Sequence, residues 1–221
     1  MKKILLVCAT QKNEEDFWAD TTTGMSVKRH IECKNIDETE IAFSNSKGLC
    51  EVYNQFLIEK YKDYIILFVH DDIIIQDINL KLKLNDAIKD FDIVGVAGTS
   101  EFGLKSPVVW HNSPKTKWSG AVGHPVAEGQ LQVNYFGPWP RQCMVLDGLF
   151  LAINTEKILE SKVKFDEQFK FHFYDLAFCV DAHMAGHTLG TWDIPLTHFS
   201  HGDYNNDEWR GSEKKFIKKY S

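Results

Sequence analysis

The segment Phe68-Val69-His70-Asp71-Asp72 concentrates the chemistry of this sequence: an unbroken apolar run, Tyr64 to Val69, stops at a histidine and two adjacent carboxylates. Such a run reads as a strand buried on both faces of a parallel sheet. In open sheets of that kind ligands bind beyond the carboxyl ends of the strands. Neighbouring residues on extended backbone face opposite ways, so one of the two carboxylates is expected to meet a metal directly. The competing reading is a solvated acidic turn. A second group is Tyr174-Asp175-Leu176 at the start of a helix. Asp175 there is either a cap, the simpler reading of the residues alone, or a carboxylate held at a cleft as general base. The third group, Ile194 to Gly202, sets His198 and His201 around a strand end. Imidazoles combined with carboxylates and ligand oxygens suit Mn²⁺ or a similar divalent ion, although a lone surface histidine is the commoner outcome.

Other patterns are decoys. His183 and His187 have the spacing of H-E-x-x-H, but Met184 stands where the glutamate must be. No G-x-G-x-x-G, no P-loop and no G-x-S-x-G elbow is present.

The elements that position these residues alternate through the first hundred positions. Ile4 to Ala9, Ile41 to Phe43, Tyr64 to Val69 and Ile93 to Ala97 read as strands. A helix with Ser46 as its cap is expected through Leu49, Val52, Tyr53, Phe56, Leu57 and Tyr61, and another over Asn79 to Lys89. This order implies an α/β fold with a parallel sheet flanked by helices. Gly98 to Gln142, containing Trp110, Trp118 and Trp139, reads as long loops, which in compact domains are usually functional. Regular structure resumes with a strand over Met144 to Ala152, a helix near Thr155 to Glu160, a helix from about Asp175 to Gly186, and final strands within Gly190 to Thr197.

Composition narrows the partners. The 221 residues carry a net charge of −6, which argues against a nucleic-acid binder, because that affinity begins with a basic surface. The five cysteines are scattered without a C-x-x-C pair and read as reduced thiols. The longest apolar runs are far short of the ~20 residues of a membrane-spanning helix, and the start of the chain lacks a signal-peptide pattern. The expectation is therefore a cytoplasmic chain. Lys214, Lys215, Lys218 and Lys219 either touch an anionic membrane peripherally, at its inner face, or line a solvated helix.

Taken in order, these segments resemble a GT-A-fold glycosyltransferase of the family-2-like superfamily, and most closely the small bacterial glycosyltransferase-like group whose metal motif is written His-Asp-Asp. The resemblance runs through Asn45-x-x-Gly48-Leu49-x-x-x-Tyr53-Asn54, Phe68 to Asp72, Asp147-Gly148-x-Phe150-Leu151, Phe165-Asp166-Glu167-x-Phe169, Asp175-x-x-Phe178-Cys179, Ala185-Gly186 and His198-x-Ser200-x-Gly202. It implies a single GT-A (Rossmann-like) domain over 1–221, with a mixed, mostly parallel sheet. A nucleotide-binding half would cover about 1–100 and an acceptor half about 101–221. It also implies a nucleotide-sugar donor, UDP-linked by expectation, and a glycan or lipid-linked glycan acceptor. Ala9 and Thr10 would hold base and ribose, with Asn45 and Asp71 near the nucleotide. Asp72 would bind Mn²⁺ or Mg²⁺, with His198 or His201 as a further ligand. Asp147 and Gly148 would line the sugar side, and Asp175 would be the base of an inverting displacement. Trp110, Trp118 and Trp139 would stack on sugars, with core packing the expected fate of at least one. Two departures stand out: Thr10-Gln11-Lys12-Asn13 replaces the usual Pro-Thr-Tyr-Asn, and Tyr174 stands where many relatives have glutamate. The competing classes are a catalytically degenerate sugar or nucleotide binder on the same scaffold and a sugar nucleotidyltransferase. The latter usually has a Gly-rich basic loop after the first strand, absent here.

Overall fold

The structure is a computed structural model describing residues 1–127, 129–200, 202 and 204–221. The chain runs through β1 (Lys3–Ala9), α1 (Glu14–Asp20), α2 (Thr22–Glu32), β2 (Glu38–Ala42), α3 (Leu49–Tyr53), β3 (Tyr64–Val69), β4 (Ile73–Ile75) and α4 (Leu80–Ala87). Then follow β5 (Ile93–Gly95), β6 (Ala97–Thr99), β7 (Trp118–Ala127), β8 (Gln130–Gly137), β9 (Arg141–Cys143), β10 (Val145–Leu146) and β11 (Phe150–Asn154). The chain closes with α5 (Thr155–Ser161), α6 (Tyr174–Met184), β12 (Leu189–Thr191), β13 (Leu196–His198) and α7 (Asp207–Tyr220).

Two sheets form. The central one has the order β2-β1-β3-β11-β5-β12-β9. Strands β1, β2 and β3 are mutually parallel, β11 is antiparallel to both β3 and β5, and β12 is parallel to β5. Strand β9 is antiparallel to β12, so three of the six pairings are parallel and three antiparallel; the sheet is mixed, as expected, with five of its seven strands running the same way. Its centre is apolar on both faces: Ile4–Val7, Ile65–Val69 and Phe150–Ile153 are fully buried. The second sheet has the order β10-β6-β7-β13-β4, with β8 added on β7.

Two segments read as single strands from the sequence, and the final strands within Gly190 to Thr197, are divided between the sheets. The run Ile93 to Ala97 breaks into β5 and β6, Met144 to Ala152 into β10 and β11, and Gly190 to Thr197 into β12 and β13. The break between β5 and β6 falls at buried Val96, so hydrophobicity does not mark it, whereas the other two breaks carry Asp147-Gly148 and the exposed Asp193.

The long-loop expectation over Gly98 to Gln142 is corrected by the β7–β8 hairpin and β9. Glycine disguises β7. At Gly120 the backbone has φ +101°, and a Cβ would lie 1.9 Å from the Val96 carbonyl oxygen, so only glycine fits at that irregularity. The helix expected from Ser46 to Tyr61 is also shorter. It covers Leu49–Tyr53 with Gly48 at its N-cap, and a 3₁₀ turn forms at Glu59–Tyr61.

Helices α1 and α2 carry no clear apolar stripe, because α2 buries polar residues. Its Thr23, Ser26 and His30 lie on one face and bond to β4. The Thr23 hydroxyl accepts from Ile73 N at 2.9 Å and lies 2.9 Å from the His70 carbonyl. Ser26 Oγ accepts from Ile75 N at 3.0 Å, and His30 Nε2 sits 3.0 Å from Ile75 O. The helix side chains thereby replace a strand partner along the open edge of β4. Helix α7 docks through Trp209 and Phe216, and Glu213 accepts from Val108 N at 2.8 Å. All five cysteines are free thiols. Among the described residues no helix is long and apolar enough to cross a membrane.

Thr23 ties α2 to the turn that carries His70, Asp71 and Asp72. Replacing it by the near-isosteric valine leaves Ile73 N buried and unpaired. Thr23→Val is expected to cost about 1–3 kcal/mol, read as a lower urea midpoint at unchanged slope.

Candidate active site

The end of β3 sets the first ligands. His70 N donates to Leu149 O at 3.2 Å, the last bond between the ends of β3 and β11. His70 and Asp72 then turn into a cleft of about 400 Å³, while Asp71 turns away. Opposite them, the β4–β13 ladder pairs His198 with Ile73, and Phe199 N donates to Asp72 O at 2.9 Å. That register delivers the His198 ring to the Asp72 carboxylate.

One donor atom each from His70, Asp72 and His198 lies within 4.8 Å of the others. His198 Nε2 and Asp72 Oδ1 are 3.2 Å apart, yet both atoms are shielded from solvent and neither has an aligned hydrogen-bond partner. Burial alone would push the Asp72 carboxyl up and the His198 imidazole down. Their mutual attraction outweighs burial, lowering Asp72 and raising His198. The His70 imidazole is lowered, chiefly by burial. Two imidazoles and a carboxylate with converging donor atoms, two of them without a hydrogen-bond partner, fit a divalent cation.

The cleft floor comes from the β10–β11 break and the start of α6. Asp147 Oδ2 accepts from Trp110 Nε1 at 2.9 Å, and Asp147 Oδ1 from Leu149 N at 3.2 Å. Asp175 Oδ2 accepts from Gly148 N at 2.9 Å. Its expected role as helix cap is corrected: Phe173 (φ 67°) is the N-cap residue, and Asp175 lies in the first turn. Burial and the nearby Asp147 charge push the Asp175 carboxyl up to about 7, against the opposing pull of backbone N–H groups. A carboxyl with that value exchanges protons near neutrality. Between the two groups stands Tyr174, whose hydroxyl donates to Gly148 O at 2.8 Å and lies 2.9 Å from His70 Nε2.

Four other sequence candidates lie together outside this cleft, at the carboxyl ends of β1 and β3. Thr10 Oγ1 donates to Asp71 Oδ2 at 2.6 Å and accepts from Lys12 N at 3.1 Å. Asn45 N donates to Thr10 O at 2.8 Å, and Ala9 is the last residue of β1. The Asn45 side chain folds back onto Lys47. Asp147 and Gly148 belong to the floor, whereas His201 lies outside the described residues. Of the tryptophans, Trp110 is buried in the cleft wall and Trp118 packs behind it, ring centroids 5.7 Å apart. Trp139 is elsewhere. It lines a separate groove with Trp192 on the opposite face of the second sheet.

Sequence reasoning gave no role to His70, His111, Tyr174 or Tyr204, which also line the cleft. The signal for His70 was its spacing of two from Asp72, which on extended backbone selects one side. The others had none.

A family profile described as a glycosyltransferase-like family matches residues 8–220. The chain belongs to this family. Glycosyl transfer is accordingly its general activity, and the protein is an enzyme. No curated protein matches this glycosyltransferase in sequence. Solved structures share its GT-A fold. The catalytic domain of Drosophila beta1,4galactosyltransferase 7, complexed with xylobiose, superimposes with TM-score 0.54 at 10% identity, covering 100% of this chain and 81% of that one. A197 from STIV has TM-score 0.51 at 14% identity, covering 90% of this chain and 86% of that one.

The Asp175 value sets a sign for stability. Because its folded-state value lies above the ordinary 3.8, its favourable contribution is complete below that pH and lost as pH rises through about 7. Asp175→Asn keeps an acceptor for Gly148 N without the buried charge. Thermal unfolding is expected to show it more stable than wild type at about pH 8, with the gap closing toward about pH 4.

Proposed function

We propose that this glycosyltransferase is divalent-metal dependent and inverting, moving a sugar from a nucleoside-diphosphate donor, UDP-linked by preference, to a hydroxyl of a glycan or lipid-linked glycan. The observation that carries the reading is that the His70–Asp72–His198 cluster and the high-lying Asp175 carboxyl open onto one cleft. His70, Asp72 and His198 would hold Mn²⁺ or Mg²⁺. When bound, such an ion supplies positive charge to a departing diphosphate. Thr10, with Asp71 and Asn45 beside it, would hold the nucleoside at the strand ends, where open α/β sheets bind such ligands.

In the displacement, the acceptor oxygen attacks the anomeric carbon from the face opposite the donor oxygen. The new C–O bond forms as the bond to the diphosphate breaks. The hydroxyl proton passes to Asp175, and the electron pair of the broken bond leaves with the diphosphate. Asp175 must be ionised for this, so the rate should rise with pH through about 7. Trp110 and His111 in the cleft wall offer ring surface to a sugar. Exposed Lys214, Lys215 and Lys218 on α7 would favour an anionic membrane surface if the acceptor is lipid-linked.

The test is release of nucleoside diphosphate from UDP-sugars, with and without acceptor, in Mn²⁺ or chelator. Asp72→Ala and chelation are each expected to lower turnover by about 100-fold or more. Asp175→Asn should keep donor binding and lose transfer by roughly 10²–10⁴. Full turnover in chelator would end the metal reading, and an unchanged rate in Asp175→Asn would end the base assignment.

A further inference from the structure

A single proton on Tyr174 decides the chemistry of His70. The tyrosine oxygen lies 2.8 Å from Gly148 O and 2.9 Å from His70 Nε2, and with 3% of its surface exposed the residue has little access to water. A carbonyl oxygen brings no hydrogen, so the contact with Gly148 O consumes the hydroxyl proton. The tyrosine oxygen can then only accept from the imidazole, and His70 Nε2 must carry a hydrogen. In a neutral ring this leaves Nδ1 as the one nitrogen with a free lone pair. We propose that Tyr174 is a positioning residue that fixes the His70 tautomer and ring orientation, making Nδ1 the atom offered to a divalent cation shared with Asp72 and His198. The inference rests on the metal role proposed for those three residues and goes beyond it.

The surroundings hold the tyrosine in that role. Its ring is wedged among Tyr53, at a centroid distance of 5.9 Å, and Phe165, at 6.1 Å. A Cβ on residue 148 would lie 2.4 Å from the Tyr174 oxygen, so glycine there is what allows the carbonyl to be approached this closely. Outer partners of ligating histidines typically change metal affinity by about 10- to 100-fold when removed. Tyr174→Phe removes one oxygen and preserves the ring.

Mn²⁺ binding measured by calorimetry on wild type, Tyr174→Phe, Phe165→Leu and Asp72→Ala tests this, together with ¹⁵N spectra of histidine-labelled, metal-free protein. The His70 signals are identified by their loss in His70→Gln. The expected result is a Kd about 10- to 100-fold weaker in Tyr174→Phe, near wild type in the core control Phe165→Leu, and binding abolished in Asp72→Ala. The spectra should place the His70 hydrogen on Nε2 in wild type and redistribute it in Tyr174→Phe. Wild-type affinity in Tyr174→Phe, equal weakening in Phe165→Leu, or an Nδ1-protonated His70 in wild type would each overturn the proposal. Undiminished binding in Asp72→Ala would instead overturn the metal reading, and the metal-free spectra would still decide whether Tyr174 sets the tautomer.

Discussion

The structure depends on a constraint of backbone pairing where the chain leaves one sheet for the other. It does so between β3 and β4, β5 and β6, β10 and β11, and β12 and β13. Each crossing interrupts a ladder, and the backbone groups freed there pair with one another. His70 N reaches Leu149 O, Asp147 N reaches Ala97 O, Ala121 N reaches Val96 O, and Phe199 N reaches Asp72 O. At the β12–β13 crossing Trp192 N reaches Gly95 O, so the crossings are bonded to one another. Of the side chains released from the ladders at these points, His70, Asp72 and Asp147 enter the cleft, while Asp71 turns to Thr10. The cleft chemistry is a by-product of that topology: His70, Asp72 and Asp147 sit at crossings, and His198 ends the strand paired to one. Groups placed by sheet backbone are held more narrowly than groups on free loops.

The three cleft carboxylates differ in how completely they are partnered. Asp147 accepts two N–H bonds, from Trp110 and Leu149. Asp175 faces Gly148 N but also the Asp147 charge, and its proton is correspondingly hard to remove. Asp72 keeps a shielded oxygen with no hydrogen-bond partner, facing an equally orphaned imidazole nitrogen. Buried polar atoms without hydrogen-bond partners are costly, and two of them facing each other at one point could hold a cation. The −6 net charge therefore understates the local situation, since acidic groups and histidines are gathered on one concave surface.

What was legible in the sequence follows from which signals are local. The runs at Ile4 and Tyr64 announce doubly buried strands because burial on both faces leaves no polar alternation to misread. Asp72, Asp175 and His198 could be singled out because each stands at the end of such a run or at a helix start. The β7 strand was hidden because Gly120 and Gly123 are required by close neighbours, Val96 O and Thr197, and glycine weighs against strand in any local reading. Helix α2 was hidden because its inward face serves hydrogen bonds to β4 rather than an apolar core. The β5–β6 crossing was invisible for the opposite reason: uniform burial around Val96 erases the boundary. Tyr174 could be noted only as a departure from a family pattern, since its two partners are 26 and 104 residues away.

Those partners make Gly148 the junction of the site. The Gly148 carbonyl takes the Tyr174 hydroxyl and its amide serves Asp175, so one peptide segment touches both of the first two residues of α6. A Cβ there would also fall 2.8 Å from the Asp175 Cβ. Any larger residue must push the helix start outward, and the displacement would reach Asp175 through one bond and His70 through Tyr174. In the proposed reaction the base and the metal ligand act on opposite sides of the anomeric carbon, and their relative placement sets the line of attack. A displacement of this type tolerates little misalignment between entering and leaving oxygens. Coupling both groups to a single glycine makes that alignment a property of the backbone, not of two independently mobile side chains.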